Sequence, residues 1–288
     1  MHLVLGEVLC NDWSEGVQAH IQRHIRRLNT LLGELGKEFF LLGEVWGGDG
    51  DVLDPWFEPD ELDAGFDFGL QGNVLGFVQG RGRTVAFNRY LEKRAVKLRP
   101  GHLLAHYLSG HDVPGALFQL GGDLALYRLA TTLALTVTGI PVVYYGEEVG
   151  RPGGAWPDNR SDMPWGERKV LPGAGLPRDE ALRKDVQRLI AVRRAHPALL
   201  RGDLKGLSAE GDLIVFARRE ARSGDAVVVA VNRGAVPATA VVPVPAEWGG
   251  RPALDLLDPA GAAAPQAGGS LTVTVGPRQA RILSPASP

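Results

Sequence analysis

Residues 105–115 read AHYLSGHDVPG, residues 138–150 read TGIPVVYYGEEVG, and residues 156–166 read WPDNRSDMPWG. Residues 102–108 and 140–145 are short apolar runs that end in polar residues, and the apolar stretch between them has the length of a helix. This order predicts a βαβ unit with two parallel strands. In a parallel barrel the functional side chains lie at the carboxyl ends of the strands, and therefore we expect a site at His111 and Asp112.

The chain on either side of this unit continues the alternation of helix and strand. Apolar positions between residues 15 and 36 recur at helical spacing, and residues 38–46 form an apolar strand that two glycines end. Residues 67–79 and 84–96 predict helices, although glycines lie within and between them. Residues 178–200 carry one apolar face and predict an amphipathic helix. These elements predict an α/β fold, a partial (β/α)8 TIM barrel.

The pattern changes near residue 203. Beyond it, short β-rich runs such as LIVFARRE and AVVVAVNRG alternate with Gly, Pro, Asn and Asp. Such runs are typical of an antiparallel sandwich. We therefore predict two domains, a partial (β/α) barrel over residues 1–203 and a small antiparallel β-sandwich domain over residues 204–288.

Composition and charge exclude several classes of partner. The 288 residues are 44% hydrophobic and carry a formal net charge of -2, so we expect neither nucleic acid nor a membrane as a partner. No apolar run reaches the ~18 residues of a membrane-spanning helix. The single cysteine, Cys10, excludes an intrachain disulfide. The localisation stays open, and the cytoplasm is favoured because residues 1–12 lack the basic start of a signal peptide.

Three polar side chains at predicted strand ends are the main functional candidates. Glu44 follows a buried strand and precedes Trp46, and an apolar setting of this kind raises the pKa of a carboxyl group and suits a general acid. A salt-bridged glutamate at the end of a strand is an equally good interpretation. His111 and Asp112 are suited to bind sugar hydroxyls, or else they cap the loop that follows their strand.

Two further patterns resemble metal sites but lack part of the ligand set. His20 and His24 lie four residues apart on a predicted helix, and a solvated helix face explains them better than a metal does. Asp49, Asp51 and Asp54 resemble a calcium loop, but the alternation of ligands is broken, which favours an ordinary polar loop.

Taken together, the quoted segments resemble the α-amylase superfamily, glycoside hydrolase family thirteen. FLLGEVW, at residues 40–46, is similar to the fifth-strand motif of that family, and LSGHD, at residues 108–112, is similar to the seventh-strand motif. GIPVVYYGEEVG resembles the eighth-strand segment, and PDNRSDMPW resembles the loop after it. The resemblance covers residues 37–288. It implies a retaining hydrolase that acts on α-1,4-glucans or maltooligosaccharides.

The resemblance also implies roles for individual residues. Glu44 matches the acid/base glutamate, Asp112 matches the third essential carboxylate, and His111 matches the histidine that binds substrate. Trp46 offers a stacking surface for a sugar, although packing of a loop is an equally good use. Calcium is common in the family, and the resemblance leaves it possible here, with no certain cofactor.

Part of the family pattern is missing from the sequence. The fourth-strand motif G-F-R-x-D, which supplies the nucleophilic aspartate, does not occur. Asp12 stands 32 residues before Glu44, but Cys10 occupies the place of the arginine, so Asp12 is a weak candidate. Whether the chain is an enzyme therefore stays open. We expect either an N-terminally truncated hydrolase that self-associates or needs a complementary fragment, or a noncatalytic relative that binds carbohydrate or a protein partner.

Overall fold

The computed structural model describes residues 15–36, 40–47, 50–96, 98–258 and 266–286. Within these ranges a parallel sheet contains four strands in chain order. They are β1 (Leu42–Gly43), β2 (Ala64–Asp67), β3 (Leu103–Tyr107) and β4 (Ile140–Val142). The predicted βαβ unit is confirmed, because β3 and β4 pair in parallel with Ala105 opposite Ile140. The strand predicted over residues 38–46 is shorter, with only two of its described residues in the ladder.

Strand β2 is an element that the sequence analysis missed. Residues 63–68 read DAGFDF, and glycine and aspartate both disfavour strands, so propensity gives no signal here. The strand forms because β1 and β3 pair with it on either side. Gly65 fits closely against Leu53, whose side chain would have to shift to admit a Cβ at this position. Tertiary pairing therefore decides the conformation of this segment.

Helices precede the sheet, connect its strands and follow it. They are α1 (Glu15–Glu34), α2 (Gly50–Leu53), α3 (Gly69–Val78), α4 (Thr84–Val96), α5 (Ala116–Gln119), α6 (Leu124–Thr136), α7 (Glu180–Ala195) and α8 (Pro197–Arg201). The helix predicted over residues 15–36 is confirmed as α1. The helix predicted over residues 178–200 is divided into α7 and α8, because Pro197 lacks the N–H that a continuous helix needs and instead begins α8.

Two antiparallel sheets follow helix α8. Their strands are β5 (Asp203–Glu210), β6 (Leu213–Glu220), β7 (Asp225–Asn232), β8 (Ala238–Pro243), β9 (Ala253–Asp255), β10 (Gln266–Ala267), β11 (Ser270–Val275) and β12 (Gln279–Pro285). Among the described residues, one sheet has the order β5-β6-β7-β12-β9 and the other has the order β10-β11-β8. The chain thus combines a helix-covered parallel sheet with antiparallel sheets.

The hydrophobic core continues from the helices into the antiparallel part. Ile214 and Phe216 of β6 pack in one cluster with Leu133 of α6 and Leu189 of α7. Val215, on the opposite face of β6, belongs to a second cluster with strands of the three-stranded sheet. Because both faces of β6 are buried, its first five residues are all apolar. In the described part of the chain, no helix is both long enough and apolar enough to cross a membrane.

Candidate active site

A cleft of about 290 Å³ opens at the carboxyl ends of β1 to β4. Its lining is largely apolar and aromatic, with a few polar groups. The lining residues are Leu42, Glu44, Phe66, Phe68, Tyr107, Ser109, Gly110, His111, Asp112, Val113, Val142 and Tyr144. The four parallel strands end at the same edge of the sheet, and therefore side chains that are far apart in the sequence meet here. A concave, mostly apolar site with a few convergent polar groups is typical of small-molecule binding.

The three polar candidates from the sequence analysis all line this cleft. Glu44 follows β1, while His111 and Asp112 lie in the segment after β3. Burial raises the pKa of the Tyr107 hydroxyl, and the charges of Glu44, Asp67 and Asp112 raise it further. An aromatic hydroxyl with a raised pKa stays protonated at neutral pH and is available as a hydrogen-bond donor.

A network of hydrogen bonds fixes the orientation of His111 and Asp112. The Nε2 atom of His111 lies 3.1 Å from Oδ2 of Asp112, and Nη2 of Arg160 lies 3.1 Å from Oδ1 of the same carboxylate. Arg160 Nε and Asn159 Nδ2 both donate to the carbonyl oxygen of His111, at 3.0 and 2.7 Å. Ion pairs that are this exposed contribute little to stability, so we infer that the network serves to orient these groups.

Comparisons with known proteins show to which family the chain belongs. Residues 12–187, well over half of the chain, match the family model described as alpha amylase, catalytic domain. The chain belongs to the α-amylase family. Within this family of glycoside hydrolases it is similar to a cyclomaltodextrinase from Geobacillus thermopakistaniensis, with 28% identity over 237 residues. That match covers 81% of this chain and 38% of the relative.

Other members of the α-amylase family resemble the chain to a similar degree. Neopullulanase 2 from Thermoactinomyces vulgaris is 28% identical over 262 residues, which cover 90% of this chain and 42% of that protein. The crystal structure of an α-amylase from H. orenii shares the fold, with a TM-score of 0.79 at 19% identity. That superposition covers 97% of this chain and 60% of the other. The chain therefore spans less than half of the length of these two curated relatives.

Trp46, the fourth residue that the resemblance singled out, lies beside the cleft. Its ring packs against Phe68, with 5.1 Å between the ring centroids, and its side chain is 53% exposed. Phe68 itself lines the cleft, whereas Trp46 does not. The contact fits the packing interpretation, and the role of Trp46 in binding sugar stays a prediction.

The sequence analysis did not single out several residues of the site. Phe66, Tyr107 and Tyr144 contribute rings to the lining, and Arg160 holds Asp112. Phe66 was missed because β2 was missed. Arg160 lies within the quoted segment PDNRSDMPW, but no pattern in the sequence alone indicates that it reaches back to residue 112.

The described residues contain no group of three or more His, Cys, Asp or Glu side chains that is arranged to hold a metal ion. His20 and His24 contact each other on α1, with 3.0 Å between their Nε2 atoms. Asp54 pairs with Arg99, and this hydrogen bond lowers the pKa of the Asp54 carboxyl group. Asp49 and Asp12 lie outside the described residues. Binding of calcium by this chain thus stays open.

Proposed function

We propose that this chain supplies the acid/base side of the active site of a retaining glycoside hydrolase that acts on α-1,4-glucans or maltooligosaccharides. The observation that carries the proposal is the single cleft lined by Glu44, His111 and Asp112. The names of the relatives, a cyclomaltodextrinase and a neopullulanase, support glucans as the substrate class. The aromatic residues of the cleft offer flat surfaces for sugar rings.

In this proposal each polar residue has a distinct task. Glu44 protonates the leaving glycosidic oxygen and then, as a carboxylate, accepts a proton from the attacking water. Asp112 and His111 bind the sugar ring as it distorts and stabilise the positive charge that develops on it. Arg160 keeps the Asp112 carboxylate in the orientation that this contact needs.

The proposed mechanism needs a group that the sequence does not supply in recognisable form. A retaining hydrolase uses a second carboxylate about 5–5.5 Å from the acid. We propose that a polypeptide which completes the sheet provides this nucleophile. In that case β1 to β4 correspond to strands five to eight of a (β/α)8 barrel within residues 1–203, and residues 204–288 form a β-sandwich domain. The chain covers less than half of the length of the two curated relatives, and this supports the interpretation.

A second candidate function is the binding of carbohydrate without catalysis. The observation that favours it is the absence of the G-F-R-x-D motif from the sequence. The cleft and its aromatic residues would then serve recognition only. Retention of Glu44 beside His111 and Asp112 favours catalysis over this candidate, because a binding module has no particular need for an acid/base pair.

The test measures two properties of the purified 288-residue chain with maltoheptaose. Release of reducing ends reports hydrolysis, and the change in tryptophan fluorescence reports binding. Glu44→Gln removes the proton donor while keeping the shape of the side chain. Glu210→Gln, at the exposed end of β5, is the matched control.

Hydrolysis that disappears only in Glu44→Gln would support the catalytic proposal for this chain. Binding without hydrolysis in any variant would favour either the noncatalytic candidate or a missing nucleophile. Adding the corresponding N-terminal half of a relative then separates these two, since restored hydrolysis would support a missing nucleophile. Neither binding nor hydrolysis by a folded chain, with or without that half, would overturn the proposal.

A further inference from the structure

Glu147 is a buried carboxyl group directly behind the cleft, and none of the roles described above involves it. It begins a short 3-10 helix, Glu147–Val149, that follows β4, and the residue is only 8% exposed. Glutamate is almost never fully buried unless its charge is paired, because taking a charge out of water is costly. The contacts of this side chain therefore call for a specific explanation.

The first contact of Glu147 is with the end of β4. The backbone N–H of Tyr144 donates to Oε2 of Glu147 at 2.9 Å, and the N–H of Glu147 donates to the carbonyl oxygen of Tyr144 at 3.1 Å. Gly146 permits this reversal of the chain with a φ of 84°, a conformation that other residues rarely adopt. Glu147 is thus bonded to both the backbone N–H and the carbonyl oxygen of Tyr144, which lines the cleft.

The second contact is with the end of β3. The Ser109 hydroxyl lies close enough to lower the pKa of the Glu147 carboxyl group by hydrogen bonding, although no well-aligned hydrogen bond reaches the buried Oε1 atom. Ser109 also accepts the N–H of Ala116 at 2.9 Å. It begins the Ser-Gly-His-Asp segment that carries His111 into the cleft. The carboxyl group of Glu147 is therefore bonded to the end of β4 and lies near the end of β3.

Helix α6 contacts the backbone of Glu147. The hydroxyl of Tyr127 donates to the carbonyl oxygen of Glu147 at 3.1 Å. A small cavity of about 20 Å³ beside Glu147 is lined by Leu108, Tyr127 and Val186, among others, and has room for about one water molecule. Helix α6 therefore holds the backbone of Glu147, and the space beside its side chain is small.

We propose that Glu147 is a positioning residue that ties the end of β3, at Ser109, to the end of β4, at Tyr144, and so sets the shape of the cleft. It acts through these two residues and does not line the cleft itself. The hydrogen bond to Tyr144 responds to the proton on the carboxyl group, since an ionised carboxylate accepts a backbone N–H more strongly than a neutral carboxyl group does.

The charge of the Glu147 carboxyl group changes within the neutral pH range. Burial raises the pKa of Glu147 to about 7. Three neighbouring groups, Ser109, the Tyr144 N–H and the charge of Arg151, lower the pKa of Glu147. The charge of Glu148 raises it. Helix α6 contributes the uncharged Tyr127, and α7 contributes the apolar Val186. We therefore expect the geometry of the cleft to differ between pH 6 and pH 8.

The first test follows the hydrogen bond between the Tyr144 N–H and Glu147 and needs no ligand. In amide NMR spectra of the 288-residue chain, we expect the Tyr144 N–H signal to shift with pH around a midpoint near 7. Glu147→Gln keeps the acceptor oxygen but cannot ionise, so the shift should vanish. Glu148→Gln, one residue away, should retain it. Ser109→Ala should move the midpoint upward, because the hydroxyl lowers the pKa. A Tyr144 signal that titrates identically in Glu147→Gln would overturn the proposal.

The second test asks whether the tie affects the cleft, and it rests on the proposed function. Titration calorimetry with maltotriose at pH 6 and pH 8 should give affinities that differ several-fold in the wild type and in Glu148→Gln. The two affinities should differ less in Glu147→Gln than in these two proteins, because the amide side chain keeps one charge state. Equal pH dependence in all three proteins would reject the positioning role. If maltotriose does not bind at all, the proposed function fails, while the NMR titration still decides the tie.

Discussion

Glu147 places its carboxyl group in the interior, and this placement makes the stability of the fold depend on pH. Burial raises the pKa of Glu147 from 4.5 to about 7, so the folded chain binds a proton that the unfolded chain has released between these values. The favourable contribution of the protonated group is complete below pH 4.5. It is lost as the pH rises through 7.

We expect this loss to amount to about 3 kcal/mol, since one pKa unit corresponds to ~1.4 kcal/mol. Urea unfolding at pH 5, 6, 7 and 8 measures it. The free energy of unfolding of the wild type should fall relative to that of Glu147→Gln over this range. A constant difference between the two proteins would mean that Glu147 does not titrate there. Glu148→Gln serves as the matched control and should parallel the wild type.

The positions of some residues could be predicted from the sequence, and those of others could not. Glu44, His111 and Asp112 could be placed at strand ends, because an apolar run followed by a polar residue is visible in the sequence. The burial of Glu147 could not be predicted, since Glu147 and Glu148 are identical neighbours. Only the turn at Gly146 directs one of them inward and leaves the other partly exposed.

At the level of elements, a buried ion pair fastens β2 to α4. The carboxylate of Asp67 pairs with the guanidinium of Arg94, and both side chains are almost fully buried. The other oxygen of Asp67 accepts the N–H groups of Gly69 and Leu70 and so caps the start of α3. Arg94 also contacts Nδ1 of His106 on β3 at 3.0 Å. One carboxylate thus joins a strand to two helices.

Removing only the charge of Asp67 should be strongly destabilising. Asp67→Asn keeps the capping oxygen but leaves Arg94 buried without a counter-charge, which costs about 3–5 kcal/mol. The double variant Asp67→Asn with Arg94→Met should recover much of this loss in urea unfolding. Asp185→Asn breaks an exposed pair with Arg128 and should change stability by less than ~1 kcal/mol. Additive effects of the Asp67 and Arg94 changes would show that the pair is not coupled.

The same ion pair explains why β2 could not be predicted from its sequence. Aspartate is typical of turns and of the residues just before a helix, and Asp67 does cap the first turn of α3. Its place at the end of a strand depends on Arg94, which lies 27 residues later. By contrast, α1 and α7 could be predicted, because their apolar periodicity is local to each segment.

At the scale of the whole molecule, the described part of the parallel sheet is open at both ends. Within the described residues β1 pairs only with β2, and β4 pairs only with β3. Unpaired edges favour association with another strand. Next to β4, Val143 is 45% exposed. The side chains meet at the cleft because the four strands are parallel, and this could be predicted from the sequence. What pairs with the open edge at β4 could not be predicted from it.

We expect the isolated chain to self-associate through this open side. Light scattering should give a mass above the 30.9 kDa of one chain. Val143→Lys should shift the distribution toward the monomer, because a lysine at a sheet edge opposes pairing with another strand. Val236→Lys introduces the same charge at an exposed position between β7 and β8 and should leave the mass unchanged. A well-folded wild-type monomer would contradict self-association. If both lysines reduced the mass equally, association would depend on the antiparallel part or on net charge. The edge at β4 would then have no specific role, because only Val143 lies next to that edge.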